Sequence, residues 1–111
     1  MFQHEDSRRL LIESYPGEYK VCKVAVMKER GVLGNHHHRN KDERFVLAAG
    51  KAVSVVIGRE SWQDVSPPFE WSVPRCTFHA FELEAGSVLV GLASGLFDPN
   101  DEVHGWPVES A

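Results

Sequence analysis

The sequence predicts an all-β fold of the jelly-roll type, in which short strands form a closed barrel or two packed sheets. Most of the chain divides into short segments with the apolar content or the two-residue alternation of strands. Glycine and proline separate these segments at regular intervals, as turns require. Many short strands with regular turn signals are typical of closed or double-sheet β architectures.

The strand candidates follow one another through the middle of the chain. Residues 19–28 have apolar side chains on both faces, which predicts a strand that is buried on both sides or lies at an interface. Further strands are predicted at residues 44–49, 51–57, 70–73, 77–84 and 87–94. Gly50 lies between the first two of these and predicts a hairpin turn. Residues 58–68 are interpreted as a turn-rich connection, and residues 6–13 as a short helical or irregular segment.

Composition and charge narrow the class of protein. The 111 residues fit one domain, expected to span residues 1–111, and 42% are hydrophobic, enough for a core. A net charge of −4 argues against a general nucleic-acid binder, because neutralising phosphates needs clustered Lys and Arg. We expect no membrane span, because no apolar run approaches about 18 residues. With no signal-peptide pattern and only Cys22 and Cys76 as thiols, we expect a cytoplasmic protein.

Three consecutive histidines are the most informative feature of the sequence. Side chains alternate along a strand, so His36 and His38 share one face, while His37 points the other way and is expected to have no chemical role. Glu43 adds a carboxylate, and His79 supplies an imidazole from a distant strand. Three imidazoles and one carboxylate can bind a divalent transition metal with open positions, and Zn, Fe, Mn and Ni are all compatible.

The spacing of these residues resembles the first motif of the cupin family. That motif contains Gly, about five residues, His-x-His, three or four residues, Glu, six residues and Gly. Here four residues separate Gly31 from His36, four separate His38 from Glu43, and six separate Glu43 from Gly50.

The second cupin motif is matched in part. It contains Gly, five residues, Pro-x-Gly-x-x-His, three residues and Asn, and this chain keeps Pro74 and His79. Cys76 replaces the middle glycine, Pro68 stands at the first glycine, and Leu83 stands at the asparagine. The resemblance implies a cupin-like jelly-roll β-barrel. The metal ligands that it implies are His36, His38, Glu43 and His79.

Two groups of sugar-modifying cupins look most similar. Residues 36–39 and 45–52 resemble the cupin part of mannose-phosphate isomerase and guanylyltransferase enzymes. The same His-x-His-Arg, with residues 89–94 and 97–102, resembles nucleotide-sugar 3,4-ketoisomerases and keto-sugar epimerases. Both resemblances imply an isomerase or epimerase whose small-molecule substrate is a phosphorylated or nucleotide-linked sugar. The histidines expected to act as acid and base are His36, His38 and His79.

Other interpretations of the same residues stay open. A metal-dependent dioxygenase of the Fe(II) type would use the same ligands, and a non-catalytic cupin would bind a small molecule without turnover. The side chains of Arg39, Arg44 and Arg75 are candidates to bind a substrate phosphate. We also expect a homodimer, because residues 19–27 are apolar on both faces and natural sheets cover their edges.

Overall fold

The structure is a computed structural model that describes residues 2–7, 9–13, 18–96 and 98–106. All regular secondary structure in these ranges is β-strand, as the sequence predicts. The described ranges contain no helix long and apolar enough to cross a membrane. The strands are β1 (Phe2–Glu5), β2 (Leu10–Glu13), β3 (Val21–Val26), β4 (Gly31–His38), β5 (Glu43–Ala49), β6 (Ala52–Ile57), β7 (Glu60–Val65), β8 (Phe69–Val73), β9 (His79–Leu83), β10 (Val88–Ala93) and β11 (Glu102–His104).

Two antiparallel sheets enclose the hydrophobic core, which confirms the jelly-roll prediction. One sheet has the strand order β3-β10-β5-β8, and the other has the order β11-β4-β9-β6-β7. Their inner faces meet at aromatic side chains: the rings of Phe45 and Phe81 lie 4.8 Å apart, and those of Trp71 and Phe81 lie 5.4 Å apart. Strands that alternate between buried and half-buried residues, such as β9 and β10, produce this core because one side of each sheet faces away from it.

The segment near the N-terminus is not helical in its described part: residues 6, 7 and 9 are irregular, and residues 10–13 form β2. β1 and β2 form an antiparallel hairpin, with Glu5 opposite Leu10. The Asp6 amide donates to the Arg9 carbonyl, and the Arg9 amide donates to the Asp6 carboxylate. A helix this short is marginal by itself, whereas strand pairing satisfies the same backbone groups.

Two other strand predictions need correction. The connection predicted at residues 58–68 contains β7, whose polar side chains hide a strand that is stabilised by pairing with β6. The segment at residues 19–28 forms β3, which is an edge strand and is not buried on both faces. Val24 and Val26, on its outer face, are 62% and 63% exposed. The interface that the sequence indicated for this strand stays a prediction.

A β-bulge in β4 decides which histidines face the core. Val32 pairs with Glu82 and Gly34 with Ala80, but the next pair is His36 with His79, so Asn35 is an extra residue. Gly34 and Asn35 have φ values of 87° and 63°, the left-handed conformations that bulges often need. The inserted residue reverses the alternation of the side chains that follow it.

We expect Gly34→Ala to destabilise the protein more than the matched change Gly86→Ala. Both glycines have positive φ, 87° and 84°, so a side chain is strained at either position. A Cβ at Gly34 would lie 2.7 Å from the His79 carbonyl oxygen, whereas one at Gly86 meets nothing within 4 Å. The clash should reduce the free energy of unfolding by a further 1–3 kcal/mol or so, about the cost of overpacking, as measured by urea denaturation. Equal losses would contradict the close approach of β4 to β9.

Candidate functional site

Four polar side chains converge between the two sheets. His36 and His38 come from β4, Glu43 from the start of β5, and His79 from the start of β9. One potential ligand atom from each residue lies within 4.8 Å of the others. The structure therefore brings together all four residues that the sequence singles out.

Glu43 lies at the centre of this cluster. Its side chain is 1% exposed, and its Oε1 lies 3.0 Å from His38 Nε2 and 3.6 Å from His79 Nε2. Its other oxygen, Oε2, lies 3.4 Å from the Lys23 ammonium. Burial favours the neutral form of the Glu43 carboxyl. The contact with His38 and the positive charges of His38, Lys23 and His79 together outweigh this effect and lower the pKa of Glu43 to about 2. The site is therefore built around a buried carboxylate.

The outer ring nitrogen of each histidine faces an oxygen atom, although that of His38 lies beyond hydrogen-bond distance. The Nδ1 of His36 lies 2.6 Å from Glu102 Oε1, and the Nδ1 of His79 lies 3.3 Å from the Thr77 carbonyl oxygen. The Nδ1 of His38 lies 3.6 Å from Asp101 Oδ2. For His38 and His79 this leaves Nε2 directed at Glu43. A partner on the outer nitrogen fixes the orientation of an imidazole and sets which nitrogen carries the lone pair.

Burial keeps two of the imidazoles neutral. Desolvation lowers the pKa of His79 to about 4, against the opposing attraction of Glu43. Desolvation also lowers the pKa of His36, against the opposing charge of Glu102. At neutral pH both rings can therefore bind a metal ion or accept a proton through an unprotonated nitrogen.

The cluster fits a divalent transition metal. Within the described ranges, Glu43 Oε1 and His38 Nδ1 are buried and have no hydrogen-bond partner. Buried polar atoms are normally satisfied, so an unpaired carboxylate oxygen among imidazoles indicates a missing cation or polar ligand. Three imidazoles and one carboxylate are donors that Zn, Fe, Mn and Ni all accept.

A cavity of about 200 Å³ opens beside the cluster. One wall is apolar and includes Phe45 and Phe81, while His36, Glu43 and His79 form the polar part. Pockets for drug-sized ligands usually measure about 300–1,000 Å³. This cavity is therefore large enough for only part of a nucleotide-linked molecule, such as its sugar.

Sequence reasoning missed three charged residues next to the site. Lys23 lines the cavity from β3, and Asp101 and Glu102 approach the histidines from β11 and the turn before it. Lys23 could have been found as the charged residue in the otherwise apolar face of residues 19–27. The roles of Asp101 and Glu102 depend on pairing with a distant strand, which no local pattern indicates.

The other residues that the sequence singled out lie outside the cluster. His37 faces away from the cluster but is 5% exposed, because its Nδ1 contacts the Gly105 carbonyl oxygen at 2.8 Å. Arg39, Arg44 and Arg75 do not line the cavity. Arg44 pairs with a carboxylate of β8 at 2.7 Å, and Arg75 pairs with that of Asp42 at 3.3 Å.

The turn before His79 contains Cys76 at the position where the second cupin motif has a glycine. Cys76 has a φ of 61°, the left-handed conformation that a glycine would adopt most easily. Its side chain is exposed. Cys76 therefore adopts the backbone conformation that favours glycine at this position.

The fold is similar to those of solved sugar-modifying enzymes. No protein-family model matches the sequence, and no curated protein matches it either. A 3,4-ketoisomerase from Helicobacter canadensis has a TM-score of 0.73 at 20% identity, over 91% of this chain and 84% of that one. The TDP-fucose-3,4-ketoisomerase from Campylobacter jejuni has a TM-score of 0.72 at 12% identity, over 92% and 83%. A sugar 3,4-ketoisomerase from Thermoanaerobacterium thermosaccharolyticum, in complex with TDP, has a TM-score of 0.73 at 19% identity, over 94% and 83%. The fold of this chain is therefore cupin-like.

We expect the stability of the metal-free protein to fall as the pH decreases below about 6.5. Unfolded His79 binds its proton near 6.5 but folded His79 only at about 4, so acid favours the unfolded chain between these values. At about 1.4 kcal/mol per pKa unit, the loss from His79 is roughly 3–4 kcal/mol. Glu43, with a usual pKa of 4.5 and a folded value of about 2, adds a second loss between those values.

Urea denaturation at pH 7.5, 5.5 and 4.5 measures this effect. His79→Gln should flatten the dependence between pH 6.5 and 4, while the same change at the exposed His104 should leave it unaltered. Parallel pH dependences for wild type and His79→Gln would contradict a buried, neutral His79.

Proposed function

We propose that this protein is an isomerase or epimerase that moves a proton next to the carbonyl group of a nucleotide-linked or phosphorylated sugar. The observation that carries the proposal is the pair of neutral imidazoles, His36 and His79, that line a cavity of sugar size beside a buried carboxylate. The fold likeness to proteins described as 3,4-ketoisomerases, one of them in complex with TDP, supports it. The predicted likeness to mannose-phosphate isomerases stays a prediction.

The chemistry needs a base, an acid and a group that stabilises negative charge. A neutral imidazole of His36 or His79 removes a proton from the carbon next to the carbonyl group, and the electron pair moves to the carbonyl oxygen to give an enediolate. To move the carbonyl group, the hydroxyl proton of the first carbon passes to the former carbonyl oxygen, and the imidazolium returns its proton to the former carbonyl carbon. To invert the first carbon, an acid on its opposite face supplies the proton instead, and the electron pair on oxygen restores the carbonyl group; both groups then exchange protons with solvent. Lys23 lines the same cavity, so its ammonium can stabilise the enediolate oxygen.

The same cluster is our proposed metal site. The residues that would hold a divalent cation are His36, His38, Glu43 and His79. When bound, such a cation would act as a Lewis acid on the oxygen that gains negative charge. Because the donor set equally suits Fe(II), a metal-dependent dioxygenase is the second candidate function.

The size of the cavity favours a substrate of which only one part enters the cavity. A volume of about 200 Å³ can enclose a sugar ring against Phe45 and Phe81, so a nucleotide or phosphate group would lie outside. The side chain of Lys23 lines the cavity and is 52% exposed, so its ammonium can contact both the sugar inside and a phosphate or nucleotide group outside. The three arginines proposed from sequence lie away from this cavity.

We expect the purified protein to exchange a carbon-bound proton with deuterated water when given nucleotide-linked 4-keto sugars or sugar phosphates. Exchange, followed by NMR or mass spectrometry, reports the enediolate even where the net reaction is unfavourable. His36→Ala and His79→Gln should each slow it at least about 100-fold, the usual contribution of acid–base groups. Because burial lowers the pKa values of both imidazoles, exchange should persist below pH 6.5.

Lys23→Met separates the two sources of charge stabilisation. If Lys23 stabilises the enediolate, this change should slow exchange about 100-fold, whereas Lys51→Met, on a side chain that pairs with Asp64, should not. If a chelator abolishes exchange while Lys23→Met remains active, a metal ion and not Lys23 stabilises the enediolate. Oxygen consumption without exchange would favour the dioxygenase, and saturable binding without either would leave a small-molecule-binding cupin.

We also propose that two copies of the chain form a homodimer through β3. Val24 and Val26 are exposed on an edge strand, opposite Val90 and Val88 of β10, so the outer face of this sheet edge is apolar. Exposed apolar edges favour association unless they are covered. The β1–β2 hairpin forms a sheet of its own, and an isolated hairpin of this size is marginal, so a second copy would stabilise it too.

We expect the wild-type protein to sediment as a dimer and the double variant Val24→Glu/Val26→Glu as a monomer. Introducing charges into a desolvated apolar contact should weaken association strongly. The control is Ser61→Glu, on the exposed face of β7 in the other sheet. Analytical ultracentrifugation over a range of concentrations measures the change. A wild-type protein that is monomeric at all concentrations would contradict the proposal.

A further inference from the structure

The strand β11 holds a carboxylate against one of the four clustered residues. Pairing with β4 places Glu102 opposite His38 and His104 opposite His36. The Glu102 side chain reaches diagonally to His36, where its Oε1 lies 2.6 Å from Nδ1. Both side chains are partly shielded from solvent, with 15% of His36 and 30% of Glu102 exposed. At this distance the negative carboxylate favours a proton on the ring nitrogen that faces it.

The surrounding contacts hold Glu102 in place. Asp101, which is 3% exposed, accepts hydrogen bonds from the backbone amides of Arg39 and Asn40 at 2.9 and 2.6 Å. On the other side of Glu102, the Gly105 carbonyl oxygen contacts His37 Nδ1 at 2.8 Å. These contacts fix both ends of β11 against β4, so the Glu102 backbone has little freedom.

We propose that Glu102 is a positioning residue that sets the tautomer of His36. Its carboxylate, 2.6 Å from Nδ1, favours a proton on that nitrogen and leaves Nε2 with the lone pair, so that the free nitrogen is available to the cavity that His36, Glu43 and His79 line. Without Glu102 this preference for Nδ1 is lost, and the ring can carry its proton on Nε2 instead. That tautomer could neither bind a metal nor accept a proton through Nε2. The inference rests on the proposed function only in the use of the lone pair, that is, whether Nε2 binds a metal ion or accepts a proton.

Substitutions at Glu102 test the positioning role without any sugar substrate. Glu102→Ala removes the acceptor, while Glu102→Gln keeps a carbonyl oxygen that can accept the same N–H and removes only the charge. Glu60→Ala, at an exposed position of β7, is the matched control. The readout is the pattern of ring nitrogen and carbon-bound proton correlations in ¹⁵N-labelled protein at pH 7.5, assigned with His36→Gln.

The expected result is an Nδ1–H tautomer of His36 in the wild type, Glu102→Gln and Glu60→Ala, and a shift towards Nε2–H in Glu102→Ala. Titration with Zn²⁺ alone should give an affinity about 10–100-fold weaker for Glu102→Ala, the usual effect of losing such a partner, with most of it restored in Glu102→Gln. A thermal melt near that of wild type would separate this effect from unfolding.

An unchanged Nδ1–H tautomer in folded Glu102→Ala would overturn the inference, as would an Nε2–H tautomer in the wild type. Neither result would bear on whether the protein exchanges sugar protons. Conversely, the expected tautomer shift in a protein that exchanges no proton of any keto sugar would support the positioning role and count against the proposed isomerase.

Discussion

The extra residue in β4 is the constraint on which the site depends. Leu33 packs against the core, and strict alternation from it would turn Asn35 and His37 inward. The bulge at Asn35 shifts the alternation by one residue, so that His36 and His38 face the cavity side instead. His37 is left on the opposite face, where the chain after β11 covers it. One backbone irregularity therefore selects which of three adjacent histidines can do chemistry.

The selected histidines surround a negative charge that the protein has taken out of water. A buried carboxylate is unfavourable unless cations or hydrogen bonds compensate it. Glu43 receives partial compensation from His38, His79 and Lys23, and its Oε1 still lacks a hydrogen-bond partner among the described residues. The site therefore attracts a metal ion, a proton donor or a polar substrate group. The same desolvation keeps His36 and His79 neutral, so the requirements for metal binding and for proton transfer coincide.

The sequence predicts the strands that carry their own signals and misses those that depend on a partner. β6, β9 and β10 lie within the predicted ranges, and β5 and β8 each begin one residue before theirs, because apolar content and turn residues mark these strands. β7 contains mostly polar residues, and β11 has only three, so each owes its conformation to pairing with β6 or β4. The hairpin of β1 and β2 was missed for the same reason. Local periodicity describes one strand at a time, whereas pairing is a property of two.

The residues of the site also separate into those that the sequence predicts and those that it does not. The residues expected to contact a metal or substrate could be predicted because a motif fixes their spacing, and His79 is among them although it is distant in sequence. Lys23 and Glu102 could not, because strand register alone brings them next to Glu43 and His36. These two residues adjust the charge and orientation of groups that the motif supplies. Because strand register and edge residues can vary while the motif stays, chains with this fold can share four central residues and still differ in the reaction they perform.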